Sequence, residues 1–171
     1  MINTNRNIKF FLYKFTPVIL LFTSILNEID FNNSEFKYFS FNFVYILIFY
    51  CSLKKNINLG YGLIFLAGII NDVVTNIPIG LSSFGYLLIC VSAAYLRTIT
   101  LRPSLLKDWI YFLITILVVN SFIYIISTLI FSLTIEYFDL LINIFFTFLL
   151  YLVFVYLFAM YEKKIIGSSD V

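Results

Sequence analysis

The chain has no histidine, so no imidazole base and no His-containing zinc site can be built from it. Its two thiols, Cys51 and Cys90, lie in separate apolar segments, and neither has a partner at metal-ligand spacing. They read as small buried apolar side chains. What is left to do chemistry is a carboxylate in the stretch GIINDVVTNIPIG, from Gly68 to Gly80. Asp72 ends a long apolar run there, with Asn71 before it and Pro78 and Gly80 soon after. Proton relay needs a second ionisable group at similar depth, and no basic residue or carboxylate stands at mid-span to pair with Asp72. Two other readings stay open. In one, Asp72 reaches the outer interface and is simply wet, which costs little near the end of a span. In the other, Asn71 and Asp72 accept hydrogen bonds from N–H groups left free in the following turn, or cap the next helix.

The turn itself has a defined shape in prospect. TNIPIGLSS carries no charge. Pro78 lacks an N–H and restricts its predecessor, and Gly80 permits backbone angles that other residues resist. Upstream, Gly60, Ile64, Gly68 and Asp72 are spaced four apart and share a helix face, with Ala67 and Asn71 beside it. Small residues in such a stripe let a second helix approach closely. Gly60, Gly68 and Asp72 are therefore expected to face protein, and Asn71, Pro78, Gly80 and Leu81 to form the structured turn. On this reading Gly68→Leu is more damaging than Ile69→Leu. Asp72→Asn, which keeps an acceptor oxygen, is expected to be mild beside Asp72→Ala.

These residues must be held by elements of an unusual kind. The 171 residues are 62% hydrophobic and 12% charged, against about 25% charged in a soluble domain. The apolar residues come in long runs, which points to an all-α membrane protein of one domain, residues 1–171. Six candidate spans run over about Phe11–Leu26, Phe36–Leu53, Asn58–Val74, Ser83–Leu96, Asp108–Leu133 and Leu140–Tyr161, the fifth being the longest and the third and fourth short. The 21 Phe and 13 Tyr accompany many Ile, Asn and Lys. All have AT-rich codons, so the aromatics are not read as a ligand box.

Charge sets the orientation. With six crossings and the N-terminus in the cytoplasm, Arg6, Lys9, Lys14, Lys54, Lys55, Arg97, Arg102, Lys107, Lys163 and Lys164 fall inside, and Lys37 alone falls outside. Glu28, Asp30, Glu35, Asp72, Glu136 and Asp139 fall outside. Both termini are thus expected in the cytoplasm, with Trp109 at the inner interface. NEIDFNN, after the first run, offers no small-x-small cleavage site, so that run is expected to stay as a span. The net charge of +2 reflects this bias and leaves no nucleic-acid footprint. Asn120, Tyr124 and Thr128, and likewise Asn143, Thr147 and Tyr151, form polar stripes on the last two spans. They read as interhelical glue.

The stretch GLIFLAGIINDVVTNIPIGLSSFGYLLICVSAAYLR, from Gly62 to Arg97, resembles the rod-shape-determining membrane protein family MreD. That family has a Gly-rich third span ending in Asp, a short turn with Pro and Gly-Leu, and a small-residue span ending in Arg. The corresponding residues are Gly62, Gly68, Asp72, Pro78, Gly80, Leu81, Ala93, Ala94 and Arg97. The family usually has a small or apolar residue where Asn71 stands. The likeness covers about 36 residues; elsewhere only length and hydropathy match. It implies a non-enzymatic, cofactor-free component of cell-wall elongation in the bacterial inner membrane. Such a protein works with the bitopic protein MreC to link the filament MreB to a glycosyltransferase and its transpeptidase. It also implies a fold like the membrane substrate-binding subunits of vitamin transporters. A transporter subunit is the alternative reading, although the Ala-x-x-x-Ala ladder for an energising module is not found. A membrane enzyme has no paired acids or metal ligands to support it.

Overall fold

The computed structural model describes residues 15–26, 41–54, 59–100, 104–132 and 136–166. The starts of the first three expected spans, the end of the fifth at Leu133, and the charges Arg6, Lys9, Lys14, Glu28, Asp30, Glu35, Lys37, Lys55 and Arg102 lie outside these residues. The described residues form the helices α1 (Phe15–Leu26), α2 (Phe43–Leu53), α3 (Tyr61–Thr75), α4 (Leu81–Ile99), α5 (Leu105–Leu129) and α6 (Tyr137–Ile166). By length and composition α4, α5 and α6 can each cross a membrane, while α1, α2 and α3 are apolar but shorter.

Local capping fixes ends that hydropathy alone places wrongly. α2 begins at Phe43, where the Asn42 side chain accepts from the Tyr45 N–H at 3.2 Å. α5 begins at Leu105, three residues before the expected Asp108, because the Ser104 hydroxyl accepts from the Lys107 N–H. α4 is a full 19 residues, not the short segment expected. α6, at 30 residues, is longer than α5 at 25, which reverses the expected order.

The short α2 sits at the centre. Val44 through Cys51 are all buried, as befits a helix that is apolar all round. Phe49 lies 4.9 Å from Phe112 of α5 and 5.9 Å from Tyr151 of α6, and Phe112 and Tyr151 stack at 4.5 Å. Tyr45 meets Tyr86 of α4 edge-on. Trp109, expected at the inner interface, is half-buried against α6. It stacks on Phe148 at 4.5 Å and donates its indole N–H to the Phe148 carbonyl at 3.0 Å.

Helices successive in the chain alternate in direction. Thr16 at the start of α1 hydrogen-bonds Tyr161 near the end of α6. Lys54, just past α2, pairs with Glu162 at 3.3 Å, and Arg97 near the end of α4 donates to the Ser52 carbonyl. The starts of α1 and α5 and the ends of α2, α4 and α6 therefore share one pole, where Lys54, Arg97, Lys107, Lys163 and Lys164 gather. The α3–α4 turn, the end of α5 and the start of α6 form the other pole.

The surface is inverted relative to a water-soluble bundle. Leu106, Ile114, Phe122, Phe145, Val153 and Tyr156 are among many large apolar side chains left exposed, while Asn71, Asp72, Ser82, Ser83, Thr115, Ser127 and Thr147 are buried. Apolar side chains outside and polar ones gathered inside is the arrangement a bilayer demands. The protein is accordingly a membrane protein with several apolar helices.

Candidate functional site

The site is the hairpin of α3 and α4, which make the most extensive helix–helix contact among the described residues. Ile64, Ala67, Gly68, Asn71 and Asp72 are the buried face of α3. Gly68 makes the close approach possible. A Cβ there would fall onto the Ser83 backbone, 2.5 Å from its N, and 2.6 Å from its Oγ. The Ser83 hydroxyl donates across the contact to the Phe65 carbonyl at 3.0 Å. The backbones thus meet through a glycine, a serine and a hydrogen bond, the usual means of helix contact where no hydrophobic drive operates.

At the end of α3 the chain reverses. Asn76 takes the left-handed conformation (φ 55°) and its N–H bonds the Asp72 carbonyl, as does Ile77 N–H at 3.1 Å. Gly80 has φ 103°, which an L side chain resists, and its carbonyl accepts from Phe84 N–H to open α4. The Pro78 carbonyl accepts from Leu81 N–H at 3.3 Å. As the N-cap of α4, Gly80 has no side chain with which to cap it.

Asp72 supplies the missing cap from the preceding helix. One carboxylate oxygen accepts from Gly80 N–H at 2.6 Å and the other from Ser82 N–H at 2.8 Å. The side chain is 0% exposed. A carboxylate at a helix N-terminus also meets the positive end of the helix dipole. This position is not a wet span end, so that reading is set aside. Both oxygens are occupied by backbone donors, and the chemistry they perform is to hold a turn.

Not every residue marked by spacing joins this contact. Gly60 is corrected: it is the exposed N-cap of α3 with nothing within 4 Å of a Cβ built on it, since the close approach to α4 begins only further along the helix. Asn71 is also corrected. It does not accept but donates, from Nδ2 to the Ser82 hydroxyl at 2.9 Å, and its buried Oδ1 has no partner among the described residues. Leu81 is buried at the first position of α4.

The later polar stripes divide. Thr147 ties α6 to α2 by accepting from Asn42 N–H at 2.8 Å, and Tyr151 lies in the aromatic core. Thr128 bonds carbonyls of its own helix, and Tyr124 meets Tyr137 ring to ring. Cys51 and Cys90 are buried free thiols, the latter accepting from the Ser52 hydroxyl. Three contributors carried no assigned role from sequence: Ser82, Ser83 and Gly85. At Gly85 a Cβ would meet Ile123 Cδ1 at 2.7 Å. The run GLSSFG held the available signal, since small and hydroxyl residues in the first turn of a helix suit both capping and close contact.

No family model, curated protein or solved structure matches the chain.

Proposed function

We propose that the chain is a six-span scaffold of the bacterial cell-wall elongation machinery, similar in role to MreD, with both termini in the cytoplasm. It would act without catalysis of its own, holding MreC and, through it, MreB and the peptidoglycan glycosyltransferase and transpeptidase. The observation that carries the reading is that residues of the MreD-like stretch converge on one locked hairpin. Gly68 is the contact, Asp72 the cap, Gly80 the left-handed corner and Leu81 the buried first residue of α4. Ala93 is fully buried in α4, and Arg97 ties its end to α2. Their work is to specify shape, which suits a protein that acts by presenting helix faces. The basic pole supports cytoplasmic termini, because lysine and arginine concentrate on that side.

Two experiments test this. Accessibility reporters at Asn33, Thr75 and Tyr137 should read outside, and those at Asn56, Ser104 and Ser168 inside; one site on the wrong side breaks the six-span map. Affinity purification from native membranes should recover a single-span MreC-like protein together with cell-wall synthases. Recovery of an ATPase pair instead would identify a transporter subunit.

A further inference from the structure

α3 is too short for the layer that its partner α4 can cross. Its 15 residues rise about 22 Å, against a hydrocarbon core of about 30 Å. The 19 residues of α4 rise about 28 Å. The shortfall of α3 lies at one end. Gly68 faces Ser83, and Asp72 reaches Gly80 and Ser82, so the two helices are level at the hairpin turn. Equal steps along both helices from the Gly68–Ser83 contact put Tyr61, where α3 starts, level with Cys90. From Cys90, α4 runs on to Ile99, about 13 Å further toward the basic pole. α2 stops at the same level as the start of α3. The hydroxyl of Ser52, in its last turn, donates to the Cys90 sulfur at 3.2 Å. The end of α2 and the start of α3 thus leave a recess in the basic pole beside the longer α4.

The groups lining that recess need a polar medium. Gly60, Tyr61 and Gly62 are exposed. Gly60, as N-cap, brings no side chain, so N–H groups in the first turn of α3 lack an acceptor from the helix. Lipid-exposed backbone of this kind is not tolerated in hydrocarbon. Lys54, just past α2, is about half exposed. Arg97 is exposed and, rather than extending past the end of α4, turns back to donate to the Ser52 carbonyl at 3.2 Å. A flat bilayer matched to α4 would hold all of these groups about 10 Å inside the hydrocarbon.

We propose that phospholipid headgroups of the leaflet at the basic pole fill this recess, so that the bilayer is thinned along the α2–α3 edge and keeps its full thickness along α5. The lining selects the occupant. Two cations and unpaired N–H donors match the oxygens of a phosphodiester. Local thinning also costs far less than a charge left in hydrocarbon. The inference rests on reading α4 and α5 as membrane spans and goes beyond the scaffold role.

The test is a comparison of depths. Ile114 on α5 is exposed and stands near the level of Tyr61, because its neighbour Thr115 accepts from the Ser92 hydroxyl at 3.4 Å, just past Cys90. Tyr61→Cys and Ile114→Cys are each spin-labelled in the full chain and reconstituted in phosphatidylcholine–phosphatidylglycerol vesicles. The parent chain serves as control for the buried Cys51 and Cys90. Collisions with oxygen and with a water-soluble nickel chelate give the depth of each label. The Ile114 label should read hydrocarbon, and the Tyr61 label headgroup depth, about 10 Å shallower. Gly62→Cys, where a Cβ meets open space, should match Tyr61→Cys and excludes a distortion caused by either label. The Tyr61 label should also speed relaxation of the lipid phosphorus nuclei, and the Ile114 label should not. Labels at equal hydrocarbon depth overturn the proposal. A Tyr61 label that meets the chelate but leaves phosphorus unrelaxed shows a water-filled cleft and overturns the occupant. Headgroup depth at Ile114 as well overturns the span reading of α5, and the proposal with it.

Discussion

Replacing Asp72 by alanine removes the acceptors of two backbone N–H groups, those of Gly80 and Ser82. Ser82 is buried, so its N–H bears the full penalty of an unmade hydrogen bond, about 1–3 kcal/mol. Gly80 is half-buried and recovers part of its loss through solvent or headgroups, which brings the total to about 2–4 kcal/mol. Asparagine is the more telling change. Sequence alone makes it mild, because one acceptor oxygen remains. The geometry makes it costly, because each oxygen of Asp72 faces a different N–H. Whichever way the amide is turned, its NH₂ group points at a donor. Asp72→Asn should therefore lose about 1–3 kcal/mol, near the alanine variant and far from the parent. Reversible unfolding in mixed micelles by sodium dodecyl sulfate, followed by circular dichroism, measures both. An asparagine variant within about 0.5 kcal/mol of the parent would refute the two-donor cap, since surface-like changes fall in that range. If both variants unfold like the parent yet fail to recover partners, the carboxylate has work beyond the turn.

Gly68→Ala should destabilise by about 1–3 kcal/mol in the same assay, because its Cβ lands on the Ser83 backbone, which cannot swing aside as a side-chain tip would. Gly62→Ala, on an exposed turn of the same helix with open space around it, should be neutral or gain up to about 1 kcal/mol of helix propensity; equal losses at both sites would remove the case for a close contact. Trp109→Phe keeps the ring stack on Phe148 but deletes the indole N–H, so a loss near 1 kcal/mol is expected, read as a lowered unfolding midpoint. Glu162→Gln should change stability by less than about 1 kcal/mol, because its partner Lys54 is about half exposed and the pair is screened; a larger loss would assign the weight to the Tyr50 hydroxyl bond on the same carboxylate.

The existence and order of the helices were legible because apolar runs alternate with charged or turn-forming segments. Their ends were not. Asn42 and Ser104 start α2 and α5 through single side-chain bonds to Tyr45 and Lys107, and hydropathy does not register a bond. The central position of α2 was equally hidden. A helix that is apolar on every side reads the same whether it is wrapped by protein or by lipid, and only packing separates Ile46, fully buried, from Ile114, about half exposed. Spacing put Gly60 and Gly68 on one stripe, yet the distance between α3 and α4 varies along it. Only the glycine opposite Ser83 is needed.

The same displacement of a helix end explains what could be read of the site. Asp72 was recognisable as an acceptor because a proline and a glycine follow it without any charge. Its partners were not, because placing the start of α4 at Ser83 leaves Gly80 and Ser82 as loop. Once α4 begins at Leu81, these two residues become its N-cap and second helical position, with N–H groups that the helix cannot satisfy. A side chain at the cap position would have served one of them, but Gly80 must be glycine to turn the corner at φ 103°. The cap then has to come from elsewhere, and the last buried turn of α3 lies against it. A carboxylate suits that place better than an amide or hydroxyl because it offers two acceptors and no donor. The charge at this depth thus follows from the corner: the glycine that lets the hairpin close creates the vacancy that Asp72 fills.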